Sequence, residues 1–328
     1  MNRVGRIDVS TTTVWRHHRE VASEIEKELE REEQEIPIQA LWQDMAAMEW
    51  IAPQAPIEEH ASVSIDGAMI LIRDEGYREV KIVSVSEVTL EPEAENVLKI
   101  DNKAVESQGD SDAREDTRGR QDGLKLTNHS YRAVLGDKAT FEPAFKGELA
   151  RRRVRQAPEI SAVSDGAEWI WDLSEKHLPK RYVGILDWSH GLENLAKAAK
   201  AGFGEGTQEA HIWMEQRETE LWNGELVQVE IGLYALPRRR GERGKAIRQV
   251  KEYIDEHWQR IDYPRFRDEG RPIGSGTVES SARNVVQWRM KRGGQRWARA
   301  GATRMLAALG EVHSKRWDAT LERLPQAA

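Results

Sequence analysis

Three acids stand out by their setting. Asp66 lies within the apolar run Ala61-Ser62-Val63-Ser64-Ile65-Asp66-Gly67-Ala68-Met69-Ile70-Leu71-Ile72, Asp165 ends Ile160-Ser161-Ala162-Val163-Ser164, and Glu279 follows Gly274-Ser275-Gly276-Thr277-Val278. A carboxylate inside an apolar strand is costly unless a partner or a metal takes it up. An acid at the carboxyl end of a strand commonly faces a site. An acid opening a helix behind a Gly-Ser-Gly turn is held by a rigid element. Hard divalent cations prefer oxygen ligands, and carboxylates converging on two ions about 4 Å apart serve phosphodiester chemistry. Each acid also has a plainer reading. Asp-Gly is a common turn pair, and Glu in a first helical turn is what capping and the helix dipole favour.

Two further groups could act beside them. In Ile185-Leu186-Asp187-Trp188-Ser189-His190, the acid and the imidazole are three positions apart and point the same way on a first helical turn. His190 could then contact a phosphate, a base or a catalytic water, with Asp187 holding its tautomer. The alternative is an N-cap Asp next to a satisfied His. The stretch from Ser280 to Trp297 reads as a helix that sets Arg283, Arg289, Lys291, Arg292 and Arg296 around Trp288. Cations interleaved with Trp suit phosphate neutralisation and base stacking. A solvated basic helix with Trp in the core is the alternative.

The elements that must position these residues follow from periodicity. Residues 61–72 and Tyr77 to Ser86 read as paired strands around the turn Asp74-Glu75-Gly76, and Ser130 to Leu135 as a third strand. A helix from Phe141 to Arg153 then leads into alternation: strand Glu159 to Ser164, helix Ala167 to Glu175, strand Tyr182 to Leu186, helix Gly191 to Ala201. Alternation of this kind implies parallel strands. The expected class is therefore α/β, with the element order of a ribonuclease H-like mixed sheet flanked by helices and a helical insertion before the last catalytic helix.

The domain reading runs 1–58, 59–202, 203–268 and 269–328. The first part is a helical region, with Ser10 as N-cap of a helix opening at Val14 and Trp15 and Glu20 to Glu35 as a solvated connector. It has the outline of a truncated helix-turn-helix, because few residues precede that helix to brace it. The second is the catalytic core, interrupted by an acidic, disordered insertion at about 91–123. The third is the helical insertion, with Trp213, Leu221, Trp222, Tyr253, Ile254 and Trp258 as packing residues. The last holds the catalytic and basic DNA-binding helices.

Composition narrows the chemistry. The 328 residues contain no cysteine, so any metal must be held by carboxylate, His or water, and a reducing cytoplasm is the expected location. No segment reads as a signal peptide or a membrane span. The net charge of -7 hides a basic region from Arg271 to Arg316.

Taken together, these motifs resemble the ISKra4-like group of bacterial insertion-sequence transposases, and more distantly the IS256 and Mutator-like group. The resemblance covers roughly residues 60–317 and rests on Ser64-Ile65-Asp66-Gly67, Val163-Ser164-Asp165-Gly166-Ala167, Leu186-Asp187-Trp188-Ser189-His190, and Pro272-Ile273-Gly274-Ser275-Gly276-Thr277-Val278-Glu279-Ser280 followed by Arg289-Met290-Lys291. It implies a ribonuclease H-like core with Asp66, Asp165 and Glu279 as a DDE triad for two Mg²⁺ or Mn²⁺ ions, and Asp187 with His190 as an accessory motif. Asp187 is the rival for the second acid, although strand order favours Asp165. The implied activity is cleavage and strand transfer of element DNA. The implied partners are double-stranded DNA of the terminal repeats and the target, plus further copies of the chain, at the bacterial nucleoid and away from membranes. Family members carry a fuller DNA-binding front. A non-catalytic DNA-binding remnant is thus one alternative, and a stand-alone nuclease of the same fold is another.

Overall fold

A computed structural model describes residues 2–4, 7–9, 11–36, 54–90, 123–237, 239–274, 286, 288–291 and 294–324. Strands β1 (Asn2–Val4) and β2 (Ile7–Val9) form an antiparallel ribbon ahead of helix α1 (Thr11–Glu35). The chain continues through β3 (His60–Ile72), β4 (Gly76–Leu90), β5 (Leu124–Leu135), α2 (Lys138–Arg151), β6 (Glu159–Ser164), α3 (Glu168–His177) and β7 (Val183–Leu186). Helices α4 (Trp188–Gly202), α5 (Gln208–Asn223), α6 (Leu226–Tyr234), α7 (Gly241–Glu256) and α8 (Tyr263–Asp268) follow, and α9 (Arg299–His313) and α10 (Trp317–Arg323) close it. The protein is therefore α/β. A five-stranded mixed sheet, ordered β5-β4-β3-β6-β7, is flanked by helices, with β3 antiparallel to β4 and parallel to β6.

Side-chain alternation along β3 explains its two-sided burial. Ala61, Val63 and Ile65 point to the face packed by Phe141, Phe145 and Leu149 of α2 and Ile170 and Leu173 of α3. Ala68, Ile70 and Ile72 point to the other face, in one cluster with Tyr131, Val286, Met290, Ala302 and Leu306. At the expected hairpin turn Ile72 pairs with Gly76, and Asp74 and Gly76 adopt positive φ, which Asp tolerates and Gly adopts freely. The third strand is longer than its apolar part, because the polar residues Lys125, Asn128 and His129 precede Tyr131 in β5.

Two compact units emerge. One comprises 1–87, 126–185 and 275–328, and the other 88–125 and 186–274. Most of the acidic insertion lies outside the described residues, as does Ser10. Among the described residues no helix is long and apolar enough to cross a membrane.

The expectation of a solvated connector at Glu20 to Glu35 is overturned. These residues form the larger part of α1, whose Ile25 and Leu29 are fully buried with Ala307 of α9, and whose Glu32 and Glu33 are also buried. Arg132 of β5 holds Glu33 and Arg151 of α2 holds Glu32. Arg316 binds Glu148 of α2 at 3.0 Å and Glu311 of α9 at 2.8 Å, while Thr320 of α10 donates to Glu311 at 2.8 Å. The charge pattern misleads because the cations that neutralise this helix come from distant elements. Burial opposes the ionisation of Glu148, but the charges of Arg316 and Arg151 outweigh it and hold its carboxyl down at about 2.

That depression adds stability above the ordinary carboxyl value of 4.5, and the contribution is lost as pH falls toward 2. Arg316→Met leaves two carboxylates short of their cation, so it should cost roughly 3–5 kcal/mol in urea denaturation at neutral pH. Its acid-unfolding midpoint should also move to higher pH. Unchanged curves would mean that the network contributes nothing.

Candidate active site

Strands β3 and β6 run in parallel, with Ser62 beside Ser161, Ser64 beside Val163 and Ile65 beside Ser164. β3 runs on into Asp66, and Asp165 is the first residue after β6 ends. Neighbouring positions on paired strands share a face, at an inter-strand spacing of about 4.8 Å. Asp66 therefore lies on the face that carries Ser62, Ser64, Ala68 and Ile70, opposite the α2–α3 core. Both acids are partly buried. Asp66 Oδ1 accepts the Gly67 amide at 2.6 Å, and Asp165 Oδ1 accepts the Ala167 amide at 3.0 Å.

The two Asp-Gly pairs differ in origin. At 66–67 the turn reading fails, because the strand runs through with Asp66 opposite Ile82 and Gly67 opposite Lys81. At 165–166 the turn is real: Gly166 has φ 91° and bends the chain from β6 into α3. A Cβ at Gly67 would stand 2.7 Å from Oε1 of Glu79, so glycine leaves room for that side chain. Glu79 pairs with the buried Lys81, whose Nζ sits 4.1 Å from the ring centre of Trp169. This brace joins β4 to the first turn of α3, just after Asp165. Its sequence signal is slight, two opposite charges at alternate positions of one strand, and the motif reading passed over it.

Glu279 lies outside the described residues, together with Ser275 to Arg283 and Arg292. Among the described residues no three His, Asp or Glu side chains gather closely enough to hold a metal ion. The Asp66–Asp165 pair nonetheless supplies the hard oxygen donors that Mg²⁺ or Mn²⁺ requires.

Asp187 takes the capping role. It is buried, and its Oδ1 accepts the His190 amide at 3.1 Å and the Ser189 hydroxyl, which caps α4. It therefore meets the backbone of His190, while the ring Nδ1 lies 3.4 Å from Glu193. Trp188 is enclosed by Trp222 and Tyr263, whose hydroxyl donates to Leu186 O at 3.1 Å. Burial, with the Asp187 charge beside it, pushes the Tyr263 phenol well above its ordinary range.

The helix expected through Trp297 does not reach that residue. Trp288–Met290 is helical, but Gly294 has φ 77° and the chain is extended when Trp297 bridges to Ile72. Trp297 exchanges backbone bonds with Leu71 and Arg73 and donates its Nε1 to Met290 O at 3.2 Å, so it packs against the sheet. Arg289, Lys291 and Arg296 are exposed. Arg283, Arg292 and the Trp288 side chain lie outside the described residues. Compared with known protein families and with curated proteins, the chain matches none.

Calorimetric titration with Mn²⁺ checks the pair. Asp66→Asn and Asp165→Asn should each weaken binding. Asp187→Ala should keep it, while losing about 1 kcal/mol of stability with its helix cap. Lost binding in Asp187→Ala, with Asp165→Asn unaffected, would make Asp187 the second acid.

Proposed function

We propose that this chain is a DDE transposase that cleaves DNA at the ends of an insertion sequence and joins the freed 3'-hydroxyl to target DNA. The observation that carries the reading is the parallel register of β3 and β6, whose last pair, Ile65 beside Ser164, is followed on each chain segment by an aspartate, Asp66 and Asp165. The strand order supports it: three consecutive strands as neighbours, then a fourth parallel to the first, is the ribonuclease H-like arrangement. Helices α5 to α8 stand between the second acid and Glu279, as a helical insertion would.

The buried packing of Val286 and Met290 supports the third acid. Both cluster with Ala68 and Ile70, on the face of Asp66. They follow Glu279 by 7 and 11 positions, a spacing that returns to one side of an α-helix.

In this mechanism the carboxylates of Asp66, Asp165 and Glu279 would hold two Mg²⁺ or Mn²⁺ ions. Ions bound there would activate water or a 3'-hydroxyl for in-line attack and offset charge on the leaving oxygen. The amides of Gly67 and Ala167 orient the carboxylates. Arg289, Lys291 and Arg296 neutralise DNA phosphates, and Asp187 caps α4 by accepting the His190 amide. No covalent enzyme intermediate is required. The partners are the terminal repeats, the target duplex and further copies of the chain, at the bacterial nucleoid.

A plasmid carrying the element ends, incubated with Mn²⁺, tests the proposal. The native chain should nick the ends and yield joined products, while Asp66→Asn, Asp165→Asn and Glu279→Gln should do neither. Nicking without joining would instead mark a stand-alone nuclease, and binding without nicking a DNA-binding remnant. Unchanged cleavage by Asp66→Asn would sink the assignment.

A further inference from the structure

Within the unit that includes 186–274, charge is strongly concentrated. Residues 238–251 carry seven cations, Arg238, Arg239, Arg240, Arg243, Lys245, Arg248 and Lys251, against the single acid Glu242. The rest of 186–274 has fifteen acids and seven cations, so counter-charges are abundant nearby in sequence. Even so, no ion pair among the described residues involves any cation from Arg239 to Lys251.

Several of these cations have structural work. Arg239 donates from Nε and Nη2 to Gly202 O at 2.9 and 2.6 Å, and Arg243 from Nε to Ala201 O at 2.8 Å, closing the C-terminal end of α4. Lys251 Nζ sits 4.1 Å from the ring centre of Tyr234. Arg240, Lys245 and Arg248 are exposed and have no partner among the described residues. Arg240 is the N-cap residue of α7 and makes no side-chain capping bond, while Lys245 and Arg248 stand three apart on the helix. Like charges at that spacing repel, and the acids at comparable spacings, Glu242 and Glu252, form no ion pair with them among the described residues. Cations at a helix N-terminus also oppose the dipole. A polyanion would relieve both.

We infer that this cationic edge of α7 is a second, sequence-independent contact for the phosphate backbone of duplex DNA. A membrane surface fits less well, because an interfacial helix needs large apolar side chains on its lipid side. The large aliphatic residues of α7, Ile247, Val250 and Ile254, are all buried. Cations spaced along one helix edge instead match the repeated charges of a nucleic-acid strand. The inference takes from the proposed function only that the partner is DNA, and it needs neither metal nor cleavage.

Fluorescence anisotropy with a random-sequence duplex in EDTA, over a range of salt, tests it on the full chain. The variant Arg240→Ala/Lys245→Ala/Arg248→Ala should bind more weakly, and its slope of log affinity against log salt should be shallower by about 2 to 3. The control Lys27→Ala/Lys180→Ala/Lys197→Ala changes net charge equally and should keep the native slope. A native slope in the first variant, or equal loss in the control, would overturn the inference. So would retention on phosphatidylserine vesicles that the duplex does not compete away. If cleavage fails while the slope responds as expected, the transposase chemistry falls and this surface stands.

Discussion

The parallel register between β3 and β6 is the constraint on which the candidate site depends. Side chains alternate across a sheet with a period of two, so a slip of one residue would send Asp66 or Asp165 to the opposite face. Several features pin the register. Val63 and Ile65 on β3 and Ile160 and Ala162 on β6 must all meet the α2–α3 core, while Ser62, Ser64 and Ser161 fill the other side with small polar groups. Hydrophobic burial on one face thus positions carboxylates on the other. The bend at Gly166 ends β6 where Asp165 can turn its oxygen to the next amide.

A second constraint operates behind the sheet. Glu32, Glu33, Glu148 and Glu311 meet Arg132, Arg151 and Arg316 with almost no water present, joining α1, β5, α2, α9 and α10. Removing charges from water is expensive, and such a cluster stabilises only when each member is met. Three stretches far apart in sequence, α1, β5 with α2, and α9 with α10, must assemble for all of the charges to be matched. This ties the first long helix to the core unit.

Net charge says little about this protein's surfaces. The overall value of -7 is compatible with an exposed cationic segment around Arg289 to Arg296 and with another along α7. Within α7 the inward side is apolar and the outward side is charged, as in any surface helix. What sets it apart is that, among the described residues, its cations form no ion pair with the acids Glu242, Glu252, Asp255 and Glu256 of the same helix. The two segments lie in different units of the chain.

The alternation of apolar residues and the positions of Gly and Asp were enough to read the strands, the hairpin turn, the helix–strand alternation and the pair Asp66 and Asp165. These are local signals: period-two burial, positive-φ turns and helix caps are written in a few adjacent residues. Tertiary structure alone decided two other matters. The long acidic helix is buried because its arginines arrive from β5 and α2. Trp297 leaves the expected helix because its backbone pairs with Leu71 and Arg73 of the hairpin segment. In each case the deciding partner is remote in sequence, and long-range pairing leaves no periodicity for a reader of the sequence to follow.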